Sequence, residues 1–297
     1  MQDELVSALL PSAGLRVVLA STAGVARHAR GLQHAAPASA QLLSQGFTSA
    51  ILLAALQKEH TRINLQLECA GPLRGFFVDA SSDGTSRGYV KNPHLVHEGA
   101  PGSFHWRAAL GNSGFLSVLR QLENGEFYRS SVELQAFDVA RDMETYFEAS
   151  EQVETRLELA AAADGDEPLG HVVGVLLQPL PEGDRAVLEA LGDRLQAPGF
   201  LQKQLEDRPK SLTHLASAIV GAEHGELEWM SRYPLQFKCT CSRERVLRAL
   251  LSMGKPELED MAKTEGRAEV TCEFCTEHYV VEQAELVALA RNGELPG

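Results

Sequence analysis

Cys239-Thr-Cys241 and Cys272-Glu-Phe-Cys275 are the two short stretches that decide how the C-terminal part of this chain folds. Two close cysteine pairs, about thirty residues apart, let a loop fold back and present four sulfurs to one ion. Zn²⁺ binds four thiolates tetrahedrally at about 2.3 Å, and this geometry leaves no position for a catalytic water. We therefore expect Cys239, Cys241, Cys272 and Cys275 to hold a zinc ion that either stabilises a fold or responds to oxidants.

The charge of the chain disfavours two classes of partner. Its 40 acidic and 27 basic residues give a formal net charge of −13, which repels both nucleic acid and anionic membranes. The acidic start predicts no secretion signal, and no stretch is apolar over the about twenty residues that a spanning helix needs. We expect a cytoplasmic protein, where clustered cysteines indicate metal ligands or redox thiols instead of structural disulfides.

The first part of the chain, residues 1–178, is predicted to be an α+β core domain. Many strand-like segments, few helices and no regular βαβ alternation indicate this class. Thr22 is the expected N-cap of the first helix, and Asn124-Gly125 is the expected turn of a hairpin. The predicted strands are residues 14–20, 62–68, 74–80, 86–91, 115–122, 128–134, 153–160 and 171–178. The predicted helices are residues 22–28, 37–56 and 138–150.

Residues 179–233 are predicted to form a helical linker. Prolines end the last core strand, and helical segments follow at 184–195 and 212–220, with Pro198-Gly-Phe200 between them. Each segment is near the length at which an isolated helix is marginal. Two interpretations stay open: a metastable linker, or a small helical domain packed firmly on its neighbours.

Residues 234–297 are predicted to form a small zinc-binding domain. Short helices and a hairpin surround the cysteines, and Cys275 is expected at the hairpin turn. A segment this short and this poor in apolar residues needs a metal to fold. Lys238, Arg243 and Arg245 lie close to the first pair in sequence, and positive charge there would favour the thiolate form.

Other chemistries have weaker support. His224-Gly-Glu226 with the second cysteine pair partly matches the H-x-E…P-C-x-x-C pattern of zinc deaminases, but Thr271 replaces the proline and the first pair would have no role. The chain lacks a phosphate-binding glycine loop. We therefore expect that the protein is not an enzyme.

The residues around the cysteines resemble the zinc-centre signature of the redox-regulated chaperones of the thirty-three-kilodalton heat shock protein family. The resemblance is carried by Phe237-Lys-Cys-Thr-Cys-Ser-Arg-Glu-Arg245 and by Val270-Thr-Cys-Glu-Phe-Cys275 with Tyr279 after it. It extends into the core domain, where residues 87–93 and 142–152 are similar to further motifs of that family.

This resemblance implies an ATP-independent holdase chaperone that is inactive while zinc is bound to the reduced cysteines. It also implies that oxidation forms Cys239–Cys241 and Cys272–Cys275 disulfides, releases zinc, unfolds the C-terminal domain and loosens the linker. Unfolding client proteins would then bind the exposed apolar surface, and the active form would be a homodimer. The alternative is a constitutive zinc-stabilised interaction module, in which the metal is only a clamp.

The amphipathic spacing of the linker suggests which side chains would contact clients. These candidates share the apolar faces of the two proline-flanked helical segments. They are Leu188, Leu191, Leu195, Leu212, Leu215, Ile219 and Val220.

Overall fold

The computed structural model describes residues 1–57, 61–95, 106–121, 126–206 and 211–293. The chain divides into two compact units, Met1–Lys238 and Cys239–Gly297.

The first unit contains a five-stranded antiparallel sheet that joins segments from distant parts of the chain. In spatial order its strands are β10 (Glu228–Pro234), β1 (Glu4–Leu10), β2 (Leu15–Ser21), β9 (Glu167–Pro179) and β8 (Arg156–Asp164). β2 and β9 are buried along most of their length, so they carry nearly continuous apolar runs instead of alternating ones. Such a sheet needs a cover on each face.

A second sheet in the same unit has six strands. In spatial order they are β11 (Gln236–Phe237), β5 (Thr85–Val90), β4 (Gly75–Ser81), β3 (Arg62–Cys69), β6 (Gly114–Gln121) and β7 (Phe127–Glu133). The pairing of β11 with β5 is parallel, and the other pairs are antiparallel. Buried and half-exposed side chains alternate along β3 and β5, as expected for a sheet with one covered face.

The helix α2 (Pro37–Ala55) packs against both sheets and forms the centre of the largest apolar cluster. It is apolar and small-sided all round, which is typical of a fully buried helix. Two glycines permit its close packing. A Cβ on Gly46 would lie 2.8 Å from the Phe76 ring, and one on Gly174 would collide with the side chains of Thr48 and Leu52.

Three further helices contribute to this cluster. They are α1 (Ala23–Gln33), α3 (Trp106–Leu110) and α4 (Val139–Tyr146), the last continued by a π-helical turn, Phe147–Glu151. Asp142, in the predicted motif 142–152, is fully buried in α4. Its carboxylate accepts hydrogen bonds from the backbone N–H groups of Gln135, Ala136 and Asp138 at 2.9, 2.9 and 3.1 Å. The motif therefore fixes the turn that leads into α4.

The other face of the five-stranded sheet is covered by α5 (Arg185–Gln196), α6 (Phe200–Glu206) and α7 (Leu212–Val220). Side-chain caps begin two of these helices, since Asp184 accepts from the backbone N–H of Ala186 at 2.9 Å and Ser211 accepts from that of His214 at 3.2 Å. The three helices of the predicted linker thus pack on this sheet, whereas residues 228–233 are not helical and belong to its edge strand β10. The low stability expected of the linker stays a prediction.

The second unit has a small core of its own. Its elements are α8 (Arg243–Met253), α9 (Lys255–Thr264), β12 (Arg267–Thr271), β13 (His278–Glu282) and α10 (Gln283–Asn292). Its buried apolar residues are Val246, Leu247, Leu250, Leu258, Ala262, Ala268, Val281, Leu286, Leu289 and Ala290. A core of this size gives a domain little stability by itself.

The structure confirms the α+β class, and most predicted elements are present within one to three residues. The sequence did not predict β1, α3, α6, β10 or β11, and α1 ends at Gln33 instead of at the predicted residue 28. The turn at Asn124-Gly125 lies outside the described residues. Within those that are described, no helix is long and apolar enough to cross a membrane.

The N-cap prediction for Thr22 was wrong in its chemistry. Thr22 does precede α1, but its hydroxyl lies 2.7 Å from that of Thr48 and makes no cap hydrogen bond. The carboxylate of Asp3 accepts from the N–H groups of Gly24 at 2.8 Å and Val25 at 2.5 Å instead. A side chain about twenty residues away in sequence therefore supplies the cap, which local pattern cannot reveal.

Candidate metal centre

The sulfurs of Cys239, Cys241, Cys272 and Cys275 lie together in the second unit, all within 4.8 Å of one another. The Cys239 and Cys272 sulfurs are 3.8 Å apart, and those of Cys241 and Cys275 are 3.3 Å apart. Across the described part of the chain, this is the one group of three or more side chains that could ligate a single ion. The structure thus brings the four predicted ligands into one cluster.

Local backbone structure positions each cysteine pair. The first pair directly precedes α8, whose N-cap Ser242 accepts from the backbone N–H of Arg245 at 3.3 Å. The second pair lies in the connection between β12 and β13, where the Thr276 N–H donates to the Cys272 carbonyl at 2.8 Å. Thr276 has a φ of 60°, and this left-handed residue turns the chain back after Cys275.

The cluster fits a tetrahedral metal ion. With metal–sulfur distances of about 2.3 Å, the sulfurs of a tetrahedral site lie about 3.8 Å apart. The Cys239–Cys272 separation equals this value at 3.8 Å, and the Cys241–Cys275 separation is shorter at 3.3 Å. Thiolates are soft ligands that select ions such as Zn²⁺ and disfavour Mg²⁺ or Ca²⁺. Four ligands from the protein would close the coordination sphere, so the centre has the composition of a structural site instead of a hydrolytic one.

The four thiols do not ionise alike without a cation. Burial alone would raise the pKa of Cys239, but the Cys241 backbone N–H and the neighbouring sulfurs hold this pKa down at about 7. Burial raises the pKa of Cys272 and of Cys275, and the Cys239 sulfur raises both further because a second negative charge so close to the first is unfavourable. A divalent ion removes this conflict, which is a further reason to assign the cluster to a metal.

Tyr279, on β13, contacts the cluster directly. Its hydroxyl donates a hydrogen bond to the Cys241 sulfur at 3.1 Å, and this bond raises the pKa of Tyr279. The sequence indicated Tyr279 only as part of the family-like motif and gave it no role. A hydroxyl hydrogen bond withdraws electron density from the thiolate that it contacts, so Tyr279 can slow the reaction of Cys241 with oxidants.

The hydrogen bonds of the arginines near the first cysteine pair go to oxygen atoms and not to the cysteine sulfurs. Arg243 donates to the Val280 carbonyl at 2.8 Å and forms an ion pair with Glu285 at 2.5 Å. Arg245 donates to the Thr240 hydroxyl at 2.7 Å. The expectation that these guanidinium groups favour the thiolate stays a prediction, since the largest effects that lower the pKa of Cys239 come from a backbone N–H and the other sulfurs.

The partial deaminase pattern has no structural counterpart. His224 lies in a 3₁₀ turn, Ala222–His224, of the first unit, and its carbonyl accepts from the Ser12 hydroxyl. Neither His224 nor Glu226 belongs to the cysteine cluster or, over the described ranges, to another group of potential ligands.

The residues just before the cysteine cluster are anchored in the first unit. In β11, the Gln236 N–H donates to the Gly84 carbonyl at 3.0 Å, and the Lys238 N–H donates to the Ser86 carbonyl at 2.8 Å. The Phe237 ring lies 4.8 Å from the His28 ring and 6.2 Å from the Phe47 ring, measured between centroids. If the backbone at Cys239 becomes disordered, these hydrogen bonds and ring contacts are the first interactions of the first unit that must break for the disorder to spread.

The candidate client-binding residues lie together but are covered. Each is at most 1% exposed, and all belong to the apolar cluster between α5–α7 and the five-stranded sheet. They are Leu188, Leu191, Leu195, Leu212, Leu215, Ile219 and Val220. A client could contact them only after the helices have moved off the sheet.

Comparison with known proteins gives a consistent result over nearly the whole chain. A family model described as Hsp33 protein matches residues 3–282. The chain is 33% identical over 286 residues to a 33 kDa chaperonin of Geobacter sp. (strain M21), which covers 96% of each chain. It is 35% identical over 298 residues to that of Pelobacter propionicus, covering 99% of this chain and 96% of the relative. The crystal structure of a 33 kDa chaperonin from Thermotoga maritima has a TM-score of 0.84 and 27% identity, covering 98% of both chains.

Proposed function

The chain belongs to the Hsp33 family, and we propose that it is a redox-regulated, ATP-independent holdase chaperone with one zinc ion on its four clustered cysteines. The relatives named chaperonins support the chaperone class. The proposed redox regulation rests on one observation: four cysteine sulfurs lie within 4.8 Å of one another in a unit that has only a small apolar core.

Loss of the metal is large enough to unfold the second unit. A structural zinc contributes an apparent 10–16 kcal/mol, roughly, to the folding of a small domain at neutral pH. Whole domains are stable by only about 5–15 kcal/mol. When oxidation removes the thiolate ligands, the sign of the folding free energy of residues 239–293 reverses.

The proposed oxidation joins Cys239 to Cys241 and Cys272 to Cys275. Each pair of thiolates gives two electrons to one peroxide, forming one S–S bond while the peroxide takes two protons and becomes two waters. These short loops stabilise the unit by about 2 kcal/mol each, much less than the metal does.

The choice of which cysteines form disulfides can be tested directly. The separations of 3.8 and 3.3 Å join sulfurs of different pairs, Cys239 with Cys272 and Cys241 with Cys275. Such bonds would close loops of about 34 residues, stabilise the unit by about 4 kcal/mol each and hold its two halves together. Mass-spectrometric mapping of the oxidised protein should find the neighbour pairs, and cross pairs would contradict the switch.

Loss of order then spreads to the helices that cover the five-stranded sheet. Release of α5 and α7 would uncover Leu188, Leu191, Leu195, Leu212, Leu215, Ile219 and Val220, which we propose as client contacts. In this proposal the active form is a homodimer, and the reducing cytosol keeps the resting protein zinc-bound.

Zinc release and chaperone activity should be measured on the same sample. Peroxide added to the reduced, zinc-loaded chain should release one zinc per chain to a chromogenic indicator, and aggregation of a thermally unfolded client should then be suppressed without ATP. The matched control changes Cys69, the cysteine outside the cluster, to Ser and should behave like the unchanged chain. Zinc that stays bound under peroxide would favour the constitutive zinc-stabilised module.

A further inference from the structure

We propose that β1 is a docking edge for extended segments of unfolded proteins and that β10 occupies this edge in the resting protein. The inference rests on the proposed function, because it concerns how the oxidised chaperone holds a client. It adds a surface and a mode of binding to the apolar contacts of the helices: main-chain pairing at the edge of a sheet.

β10 is attached to the sheet mainly through its backbone. Of its seven side chains only that of Tyr233 is even half-buried, and Trp229 and Met230 are 45% and 63% exposed. The side-chain contacts with β1 are a 2.7 Å hydrogen bond between Ser231 and Ser7 and an ion pair in which Arg232, 61% exposed, donates to both carboxylate oxygens of Glu4 at 2.7 and 3.1 Å. Water screens the exposed guanidinium of this pair, and Tyr233 alone packs against the large apolar cluster, so the backbone ladder is the main attachment of residues 228–232.

The ladder between β10 and β1 is also irregular. The register shifts between Ser7 and Ala8, which leaves Met230 without a partner on β1. Bulges of this kind interrupt the hydrogen-bond pattern and weaken a strand at the edge of a sheet.

β1, in contrast, is fixed from its other side. It pairs with β2 in unbroken register from Glu4 opposite Ser21 to Leu10 opposite Leu15. Most of its apolar side chains are almost fully buried: Leu5, Val6, Ala8 and Leu10. Loss of β10 would therefore leave β1 in the sheet, with a row of unpaired N–H and C=O groups facing outward.

The position of β10 in the chain couples it to the metal centre. Only Leu235, the two-residue β11 and Lys238 separate β10 from Cys239. On its other side, a few residues join it to α7, one of the helices that the proposal releases. Unfolding of the second unit and loosening of the helices would remove the support of β10 from both ends.

The chemistry of this edge suits a client of any sequence. A strand that adds to a sheet gains affinity from main-chain hydrogen bonds, which every polypeptide can make. In the resting protein β10 pairs with β1 as an extended antiparallel segment held mostly by such bonds. An extended segment of an unfolded client could pair with β1 in the same way. An unfolded chain supplies extended segments of this kind, whereas a folded protein has few free ones.

The test uses a labelled peptide with the sequence of Glu228–Pro234 and the full chain in both redox states. The oxidised protein should bind the peptide at least about tenfold more tightly than the reduced protein, as measured by fluorescence anisotropy. Two control peptides carry backbone N-methyl groups in opposite phases within the stretch of regular register, one at Ser231 and Tyr233 and the other at Arg232. One phase removes the donors that face β1 and should bind at least about tenfold more weakly than the other.

Hydrogen exchange on the same samples locates the binding. Amides of β1 should lose protection on oxidation and regain it when an unfolded client is added, whereas β8, at the opposite edge of the sheet, should show no gain with client. Equal binding of the two methylated peptides, or client protection confined to α5–α7, would overturn the inference. Protection of β1 that grows with protein concentration in the absence of client would assign the edge to a second copy of the chain and also overturn it.

An aggregation assay on the oxidised sample separates the two proposals. Suppressed aggregation without protection of β1 refutes the docking edge and leaves the proposed function standing. If aggregation is not suppressed, both proposals fail.

Discussion

Substitution Phe237→Ala should loosen the anchor between the first unit and the metal centre. Loss of a fully buried phenylalanine side chain costs about 3–5 kcal/mol, and Phe237 is half-buried, so about 2 kcal/mol is expected. The lost contacts are those of its ring with His28 and Phe47. At 1.4 kcal/mol per factor of ten, local opening of β11 should become about thirtyfold more frequent.

Hydrogen exchange in the reduced, zinc-loaded protein measures this opening directly. The amides of Gln236 and Lys238 donate to carbonyls of the neighbouring segment, so their exchange reports the opening of β11. Both should exchange about thirtyfold faster in the variant, while amides in the middle of β3 should not change. Peroxide should then release zinc faster, because the second unit loses a fixed point beside Cys239.

Phe115→Ala is the matched control, since it removes the same side chain from a strand of the same sheet. Phe115 is 53% exposed, and a change at an exposed surface position usually alters stability by no more than about 0.5 kcal/mol. If Phe237→Ala changes exchange at Lys238 no more than Phe115→Ala does, the ring contacts do not anchor the chain and the reasoning is refuted.

Three further substitutions test other parts of the structure. Tyr279→Phe should speed peroxide-driven zinc release, because Cys241 loses a hydrogen bond to its sulfur; an unchanged rate on a zinc indicator contradicts this. Burial raises the pKa of Glu158 from 4.5 to about 7, so the unfolded chain ionises first and the wild type loses stability as pH rises between these values. Glu158→Gln should therefore melt higher than wild type at pH 8 but not near pH 4, and parallel melting curves would refute this. Asp142→Ala leaves three backbone donors unpaired and should lower the unfolding free energy in urea by about 3 kcal/mol, whereas a loss under about 1 kcal/mol would speak against that role.

The metal cluster could be predicted from sequence because its ligands come as two local pairs. Each pair needs only a short turn, and the sequence also predicted the hairpin that carries Cys272 and Cys275. The role of Tyr279 could not be derived in this way, because it depends on the pairing of β12 with β13 and on the direction of one side chain.

Contacts between distant segments explain what the sequence did not reveal. The pairing of β1 with β10 joins Ser7 to Ser231, 224 positions apart, and most side chains of β10 are exposed, so no apolar alternation indicates a strand. The cap of α1 has the same cause, because Asp3 reaches the helix only through the fold. Burial of the apolar faces of α5–α7 likewise depends on the sheet beneath them, which a local helical pattern does not show.

The five-stranded sheet has a separate apolar cluster on each of its faces. If α5–α7 leave one face, the packing around α2 on the other face still holds the strands in register. The bare surface would then remain a template for the same three helices. Once the cysteines are reduced again, recovery would amount to re-docking short helices and not to folding the chain anew, so one molecule could serve through repeated episodes of oxidation.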